Sequence, residues 1–420
     1  MAETETHRAI ETIFRIEQAR LIASLARMVR DIGLAEELAQ DALLTALAEW
    51  PASGIPEKPG AWLITMAKRR AIDMFRRNRM LARKHAEIAR DPGNLPHSGT
   101  ESIEAALDDD LGDELLGLIF TACHPLLPGE QRIALTLRLI GGLTTGEIAR
   151  AFLSKEPAIA QRIVRAKKTL GAAGLAFEVP RGREREERLA SVLEVVYLIF
   201  NEGYAATAGK DLTRPALCTE ARRLGRILAG LMPEEPEVLG LLALMDIQAS
   251  RLAARTAPDG SPILITGQNR ALWDHLLIRR GLAALQRAEE LGGARGPYAL
   301  QAALAACHAR ARRPEDTDWR RIAALYDTLQ LVMPSPVVGL NRAVAHSMAF
   351  GPEAGLALLD ALPDAGALRH YAPLPAARGD FLFRSGRLVE ARVQFELAAT
   401  LTRNEREKDL LLARASACGG

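Results

Sequence analysis

The chain has 420 residues, of which 48% are hydrophobic and 25% charged, and its formal net charge is only +2. This length is too great for one compact core, so two or three domains are expected, and the composition excludes a disordered or fibrous protein. No apolar run reaches the roughly 18 residues that a membrane-spanning helix needs, and the charged N-terminus does not resemble a signal peptide.

The residue types predict an all-α fold. Ala, Leu and Arg dominate, aromatic residues make up 5%, and runs of β-branched residues are scarce. The four cysteines lie far apart without a Cys-x-x-Cys pair, so we expect a reduced, cytoplasmic protein with no disulfide framework, metal or cofactor. Cys123-His124 could suggest a catalytic or metal site, but no second thiol or carboxylate cluster accompanies the pair.

The first predicted unit covers residues 8–85 and contains three or four helices. One helix runs from His7 to about Arg30, and a second covers 34–50 and ends against Pro51. After a loop rich in Pro and Gly, a third helix covers 61–77. Basic side chains cover the sides of this helix away from its apolar face: Lys68, Arg69, Arg70, Arg76 and Arg77.

Charge is strongly segregated along the chain. Residues 61–90 hold nine Lys or Arg and two acids, a balance of +7, whereas residues 91–120 hold eight acids and no Lys or Arg, a balance of −8. Residues 86–110 therefore read as an acidic, flexible linker. A basic patch beside an acidic tether is expected of a nucleic-acid binder whose binding is restrained.

The second predicted unit covers 111–175 and ends in a helix-turn-helix over 143–170. Thr144 and Glu147 have the spacing of a capping box, which predicts the start of the first helix. Ser154 is the predicted cap of the second helix, and Pro157 fits in that helix's first turn.

The second helix of this motif is amphipathic. Its predicted apolar stripe consists of Ile159, Ile163, Ala166 and Leu170. The side chains predicted to meet base edges and phosphates in a major groove are Lys155, Ala158, Gln161, Arg162, Arg165 and Lys168. The alternative is an ordinary helical hairpin with a solvated basic face.

A third unit, 181–420, is a succession of Ala- and Leu-rich helices separated by Pro and Gly. Its clearest part, 371–414, resembles a tetratricopeptide repeat through small residues at Ala376, Gly379, Gly386, Ala391 and Ala398, with Leu382 between them. A generic helical bundle is the alternative. The segments 257–261 and 267–274 interrupt the helices. Two interpretations are open for them, a structural turn capped by Asp or a regulatory contact.

Two motifs of the first unit resemble region 2 of bacterial sigma factors of the extracytoplasmic-function group. They are the acidic helix with Gln40-Asp41 and the following A-W-L…A…R…I-D…R-R helix. The helix-turn-helix and the segment before it, LPGEQRIALTLRLIGGLT, resemble region 4 of the same group. The long helical extension resembles that of one branch of the group.

The resemblance implies a role for each helix. The second helix would dock on the β′ clamp helices of core RNA polymerase through Glu37, Gln40, Asp41 and Leu44, and the polymerase β flap is a further implied partner. The third helix would open and hold the minus-ten element of a promoter through Trp62, Lys68, Arg69, Arg70, Arg76 and Arg77. The 156–168 helix would read the minus-thirty-five element. Many group members have Asn where this chain has Arg69, and Trp62 is alternatively a core anchor.

Other classes of protein remain open from the sequence. The main alternative is a helix-turn-helix regulator that binds operators without polymerase and carries a tetratricopeptide-like interaction domain. The basic helix at 61–77 argues against this alternative, because a simple operator binder needs no second basic unit of this composition. An enzyme is not expected, since the third unit offers no phosphate-binding Gly loop, nucleophile elbow or paired metal ligands. The extension is expected to be a regulatory module that packs on the DNA-binding units, on polymerase or on a regulatory protein.

Overall fold

The computed structural model describes residues 2–89, 111–152, 154–175, 177–205, 213–258, 261–362, 368–402 and 405–419. Every regular element in these ranges is helical, and the only β pairing among them is one isolated antiparallel bridge between Thr256 and Pro262. The predicted all-α fold is therefore confirmed. Residues 90–110 of the predicted acidic linker lie outside the described residues. No described helix is both long and apolar enough to cross a membrane.

The chain divides into two compact units, Met1–Val195 and Val196–Gly420. The helices of the first unit are α1 (Ala2–Val29), α2 (Ile32–Ser53), α3 (Pro59–Ala89), α4 (Leu111–Ala122), α5 (Gly129–Leu139), α6 (Thr145–Ala151), α7 (Glu156–Ala173) and α8 (Gly182–Tyr204). The division falls inside α8, so this helix begins in the first unit and ends in the second. The boundary near residue 181 expected from the sequence falls at the start of the same helix.

Local sequence explains where α2 begins and ends. The carboxylate of Asp31 accepts a hydrogen bond from Leu34 N at 2.9 Å and so caps the first turn. The prediction that the helix ends against Pro51 was wrong, since α2 continues to Ser53. Pro51 removes only one amide donor near the end of the helix, and Gly54, with φ of 83°, terminates it by donating from its N to Trp50 O at 2.9 Å.

The predicted helix-turn-helix is present as α6 and α7. The capping box is confirmed, since Glu147 N donates to Thr144 Oγ1 at 3.1 Å and Thr144 N donates to Glu147 Oε2 at 2.8 Å. The predicted cap of the second helix was wrong by one residue: the N-cap is Lys155, with no side-chain hydrogen bond. Ser154 instead closes the preceding helix, with its N donating to Ala149 O at 2.9 Å.

Helix α1 lies at the centre of the first unit. It packs on α2 and α3 and also on α4, and its residues Leu21, Ile22, Leu25 and Ala26 are fully buried. The segments that the sequence treats as two separate domains, 8–85 and 111–175, therefore share one compact unit.

The second unit is built from consecutive helices that pack on their neighbours in the chain. They are α9 (Pro215–Leu231), α10 (Pro236–Ala249), α11 (His275–Glu290), α12 (Pro297–Arg310), α13 (Trp319–Val332), α14 (Pro336–Phe350), α15 (Pro352–Asp360), α16 (Pro373–Arg384), α17 (Leu388–Leu401) and α18 (Glu405–Ser416). In the α16–α17 pair, a Cβ on Gly379 would lie 2.9 Å from the Phe395 ring, so glycine permits the close approach there.

Arginine and aromatic side chains stabilise the irregular segment between α10 and α11. The Arg255 guanidinium lies 3.7 Å from the Tyr204 ring centroid, and that of Arg270 lies 4.6 Å from the Trp273 centroid. Asp274 caps α11 by accepting hydrogen bonds from Leu276 N and Leu277 N at 2.9 and 3.0 Å. This agrees with the interpretation of the 267–274 motif as a structural turn capped by Asp.

Candidate nucleic-acid and protein interfaces

One face of α2 is open to solvent. Glu37, Gln40 and Leu44 are exposed and Asp41 is half-buried, and their spacing of three and four residues places them side by side on the helix. Leu44 is a large aliphatic side chain that is 62% exposed and lies one turn from the polar Gln40 and Asp41. A leucine in that position suits a protein partner better than it suits water.

Asp41 and Arg70 connect this face to α3. Arg70 Nη1 lies 2.8 Å from Asp41 Oδ2, and Arg70 Nη2 donates to Thr45 Oγ1 at 2.8 Å. The sequence assigned Asp41 to a protein contact and Arg70 to DNA, whereas the structure pairs them with each other. Each keeps only part of its hydrogen-bonding capacity for an external partner.

The basic residues of α3 differ in accessibility. Arg69, Arg76 and Arg77 are exposed, whereas Lys68 is buried. Trp62 is half-buried and packs edge-on against Trp50, with ring centroids 5.1 Å apart. Its ring is thus anchored in the fold and also partly accessible. This geometry suits both a core anchor and a ring that stacks on a base. DNA contact by Lys68 stays a prediction that requires its side chain to move.

The outer face of α7 carries most of the residues predicted for it. Ile159, Ile163, Ala166 and Leu170 are buried, as predicted. Lys155, Gln161, Arg165 and Lys168 are exposed, and Ala158 is half-buried. Arg162 is occupied by an ion pair, with its Nη2 2.7 Å from Glu130 Oε2.

Val164 is a residue of this face that the sequence analysis missed. Its side chain is 62% exposed and lies one turn from Gln161 and Lys168. The sequence contained the signal, since Val164 falls outside the apolar stripe at 159, 163, 166 and 170.

A pocket of about 280 Å³ opens beside α7. It is lined by Glu130, Ile133, Ala134, Ile148, Phe152, Ser154, Ile159 and Arg162. Apolar and polar groups contribute about equally to its surface, and the Arg162–Glu130 ion pair belongs to its lining. A pocket of this size has room for one or two side chains of a partner.

Glu36 connects the first three helices to the helix-turn-helix. Its side chain is 7% exposed; Arg138 Nη2 lies 2.7 Å from Glu36 Oε1, and Lys167 Nζ pairs with Glu36 Oε2. Burial raises the pKa of Glu36, but the hydrogen bonds and charges of Lys167 and Arg138 outweigh it and hold the pKa below its usual value. Glu36 is therefore ionised at neutral pH.

The first half of α8 is bonded to α4 and α5. Ser191 Oγ donates to Cys123 O at 2.5 Å, and Arg132 Nη1 donates to Ser191 Oγ at 2.5 Å and to Glu194 Oε2 at 2.9 Å. Arg188 Nη2 donates to Phe120 O at 3.3 Å. These hydrogen bonds fix the first half of α8 to the end of α4 and to α5.

Cys123 and His124 have structural roles. Burial raises the pKa of the Cys123 thiol to about 11, so it is protonated at neutral pH and a poor nucleophile. His124 Nδ1 accepts a hydrogen bond from Leu126 N at 3.1 Å, which closes a turn. Within the described ranges, no group of three or more His, Cys, Asp or Glu is placed to hold a metal ion.

Comparison with known families matches three segments of the chain. Residues 13–80 match the model of sigma-70 region 2, and residues 118–170 match that of sigma-70 region 4. Residues 188–289 match a family of unknown function, DUF6596. The first two segments contain the exposed faces of α2, α3 and α7. The third begins within α8.

Individual relatives resemble either the whole chain or its first part. An uncharacterized protein of Rhizobium meliloti, R00370, is 44% identical over 92% of this chain and 90% of its own length. The ECF RNA polymerase sigma factor SigK of Mycobacterium bovis is 30% identical over 36% of this chain and 79% of its own length. The probable ECF RNA polymerase sigma factor SigI of Mycobacterium tuberculosis is 27% identical over 43% of this chain and 60% of its own length. No solved structure matches.

Proposed function

The chain belongs to the extracytoplasmic-function sigma factors, which direct RNA polymerase to promoters, and from that premise we propose how its residues divide this task. Helix α2 binds core polymerase, α3 opens and holds the minus-ten element, and α7 reads the minus-thirty-five element. The second unit regulates this activity. The observation that carries the proposal is the presence of two separate basic helix faces, on α3 and α7, in one unit that also exposes the α2 face around Leu44.

The α2 face suits the polymerase clamp helices because it combines an exposed apolar side chain with polar side chains one turn away. Leu44 would be buried on binding, and Glu37, Gln40 and Asp41 would supply oriented hydrogen-bond acceptors around it. The Asp41–Arg70 pair at 2.8 Å holds this face against α3. This pair supports the proposal that polymerase binding and minus-ten binding use neighbouring helices.

Helix α3 suits separated DNA strands. Arg69, Arg76 and Arg77 are exposed for phosphate contacts, and the accessible part of the Trp62 ring offers a surface for an unstacked base. The contact of Trp62 with Trp50 fixes the orientation of that ring before DNA arrives. Fixing the ring in advance lowers the entropy cost of binding.

Helix α7 suits duplex DNA. Gln161 and Arg165 can hydrogen-bond base edges in the major groove, while Lys155 and Lys168 are placed for phosphates. Val164 adds an apolar contact of the kind that thymine methyl groups accept. The pocket beside α7 is proposed to receive side chains of the polymerase β flap.

The proposed function can be tested by promoter selection. Duplexes with randomised sequence at the two elements are incubated with this protein, with core polymerase, or with both, and the retained DNA is sequenced. We expect two conserved elements only in the sample that contains both proteins. Recovery of the same sequences by this protein alone would instead support an operator-binding regulator.

Substitutions on α7 should separate base contacts from phosphate contacts. Gln161→Ala should change the preferred base at one position, since a bidentate base contact is worth about 1–3 kcal/mol. Lys168→Ala should weaken all promoters alike and reduce the slope of log affinity against log salt by about one. Binding of holoenzyme to the selected duplex and to single-base variants is measured at several salt concentrations. Equal losses on all sequences for Gln161→Ala would mean that α7 is oriented differently.

A further inference from the structure

Three arginines and two aromatic rings of the second unit alternate in space. In order they are Arg255, Tyr204, Arg251, Trp273 and Arg270, and together they are called the arginine ladder below. The distances between neighbouring guanidinium carbons and ring centroids are, in this order, 3.7, 5.9, 5.7 and 4.6 Å. Each distance is within the range of a cation–π contact. The ladder gathers three positive charges where α8 and α10 end and α11 begins.

The hydrogen bonds of the three guanidinium groups all go to neutral acceptors within the described part of the chain. Arg251 donates from Nη2 to a phenol at 2.7 Å and to an amide oxygen, and Arg255 and Arg270 donate to backbone carbonyls. These acceptors are Tyr204 Oη, Gln248 Oε1, Tyr204 O, His308 O and Ala311 O. A guanidinium has five N–H donors. Since Arg251 and Arg270 donate two hydrogen bonds each and Arg255 donates one, each has N–H groups left for a further acceptor.

Two donors of the ladder are buried without an acceptor among the described residues. They are Arg270 Nε and Trp273 Nε1. The Trp273 side chain is only 4% exposed, and Arg251 is only 9% exposed. A buried donor without an acceptor is costly, and so is a buried charge without a counter-charge. One bound anion would supply both the acceptors and the negative charge.

Described acids near the ladder are engaged elsewhere. Burial lowers the pKa of Arg270, and the charges of Asp316 and Glu315 oppose this effect. Both carboxylates pair with another arginine, since Asp316 Oδ1 lies 3.0 Å from Arg313 Nη2 and Glu315 Oε1 lies 3.6 Å from Arg313 Nε. The carboxylate of Asp274 caps α11. Acids of the described chain therefore leave the ladder uncompensated.

Two side chains respond to this concentration of positive charge. Burial lowers the pKa of Arg251, and the charges of Arg255 and Arg270 lower it further. Burial and the charges of Arg251 and Arg270 also lower the pKa of His308 to about 4, so His308 is neutral at pH 7. Arginine stays protonated in proteins, so the ladder keeps its three charges.

We propose that the arginine ladder is a binding site for a small anion with a phosphate group. A planar guanidinium binds two oxygens of one phosphate through paired hydrogen bonds, and several guanidinium groups suit a dianion better than a carboxylate with one charge. Arg255 and Arg270 are half-buried at the ends of the ladder and give access from solvent. The burial of Arg251 and Trp273 favours a small molecule over a DNA backbone. This inference goes beyond the proposed function, because it assigns a ligand to the second unit and does not depend on promoter binding.

Calorimetric titration of the full-length protein tests the site. Inorganic phosphate, glucose 6-phosphate and acetate are each added at constant ionic strength. We expect saturable binding of phosphate, of the sugar phosphate or of both, and none of acetate. Tighter binding of inorganic phosphate would identify the free ion as the ligand, and tighter binding of the sugar phosphate would identify a phosphomonoester. Absence of binding by both phosphate compounds would overturn the proposal.

Substitutions of Arg255 test whether the ladder holds the anion. Arg255→Gln removes one guanidinium, so phosphate affinity should fall about ten- to hundredfold, the range of a charged hydrogen bond. Arg255→Lys keeps the charge but loses the planar fork and should recover only part of the affinity. Arg280→Gln removes the same charge at an exposed position of α11 and should bind phosphate like the wild type. Equal affinity of Arg255→Gln and the wild type, or an equal loss in Arg280→Gln, would contradict the proposal; thermal unfolding confirms that each variant is folded.

Hydrogen exchange of the wild-type protein locates the anion without any substitution. Phosphate should slow amide exchange in 250–274, compared with sodium chloride at the same ionic strength. Slowing only in other segments, or slowing in 250–274 by duplex DNA and not by the phosphate compounds, would refute a small-anion site in the ladder.

Two acids outside the described residues, Asp211 and Asp259, lie close to the ladder in the sequence. Asp211→Asn and Asp259→Asn test whether a carboxylate of the chain fills the site. We expect both variants to bind phosphate like the wild type. Phosphate binding that appears only in one of these variants would show that the ladder is an internal ion-pair site, and the proposal would fail.

Discussion

In a chain cut after Pro180 the first unit should unfold, whereas in a chain cut after Asn201 it should stay folded. The first cut removes the half of α8 that packs in the first unit, including Leu189, Val192 and Val195, all buried. Burial of such a side chain is worth about 1.5–3 kcal/mol. Together they approach the whole stability of a typical domain, about 5–15 kcal/mol. The hydrogen bonds of Ser191 and Arg132 are lost as well.

Urea unfolding of the two truncated chains measures this difference. The longer truncated chain also carries Ile199→Gln and Phe200→Gln. These two side chains are buried in the full-length protein, and removal of the second unit would expose them to solvent. Val192→Asp in the full-length chain is the matched test, with Val389→Asp at an exposed position as its control. Equal stability of the two truncated chains would show that α8 is not part of the first unit.

The longer truncation also reports on the extension. Since its first unit stays intact, any change in promoter output comes from loss of the second unit. We expect output to fall, because we propose that the extension supports polymerase binding. A rise would mean that the extension restrains the promoter-binding unit, and unchanged output would show that it has no role in transcription.

Leu44→Asp should reduce affinity for core polymerase about thirtyfold or more. Leu44 is the large apolar side chain of the exposed α2 face, and truncation of an interface residue that dominates binding typically costs about 2 kcal/mol or more. The side chain makes little contact within the free protein, so folding should survive. Titration of labelled protein with core polymerase gives the affinity, and Leu331→Asp, at an 84% exposed position of the second unit, is the control.

Asp41 needs a different design because it is paired with Arg70. Asp41→Arg would place two guanidinium groups against each other, so loss of binding could follow from a displaced α2. Combining Asp41→Arg with Arg70→Asp restores the pair in reverse. If polymerase affinity stays low in the double variant, Asp41 contacts polymerase; if it recovers, the pair only positions the helix. Unchanged affinity in Leu44→Asp would remove this face of α2 from the polymerase interface.

Local signals in the sequence predicted much of this structure. The Thr144–Glu147 capping box and the stripe at Ile159, Ile163, Ala166 and Leu170 depend on residues three or four positions apart, so periodicity was enough to find them. The cap at Lys155 was missed because residue preference favoured Ser154, whose amide the fold uses to close α6.

The contacts that the sequence did not predict join distant parts of the chain. Glu36 and Lys167 are 131 positions apart, and Cys123 and Ser191 are 68 apart. No periodicity links such residues. Two side chains predicted to contact DNA, Arg70 and Arg162, each form an ion pair with an acidic residue of the same unit. The helix pattern predicts which side chains face solvent, but it does not predict which of them are already engaged in ion pairs within the protein.

Run-off transcription is the most direct test of the conclusion that this chain is a promoter-specificity factor. Core RNA polymerase is supplied with a template that carries the selected minus-thirty-five and minus-ten elements, with and without the full-length protein. We predict a transcript of one defined length only when the protein is present, and its loss when either element is scrambled. Transcription that does not depend on the protein, or no transcript from a template to which the two proteins bind together, would contradict the conclusion.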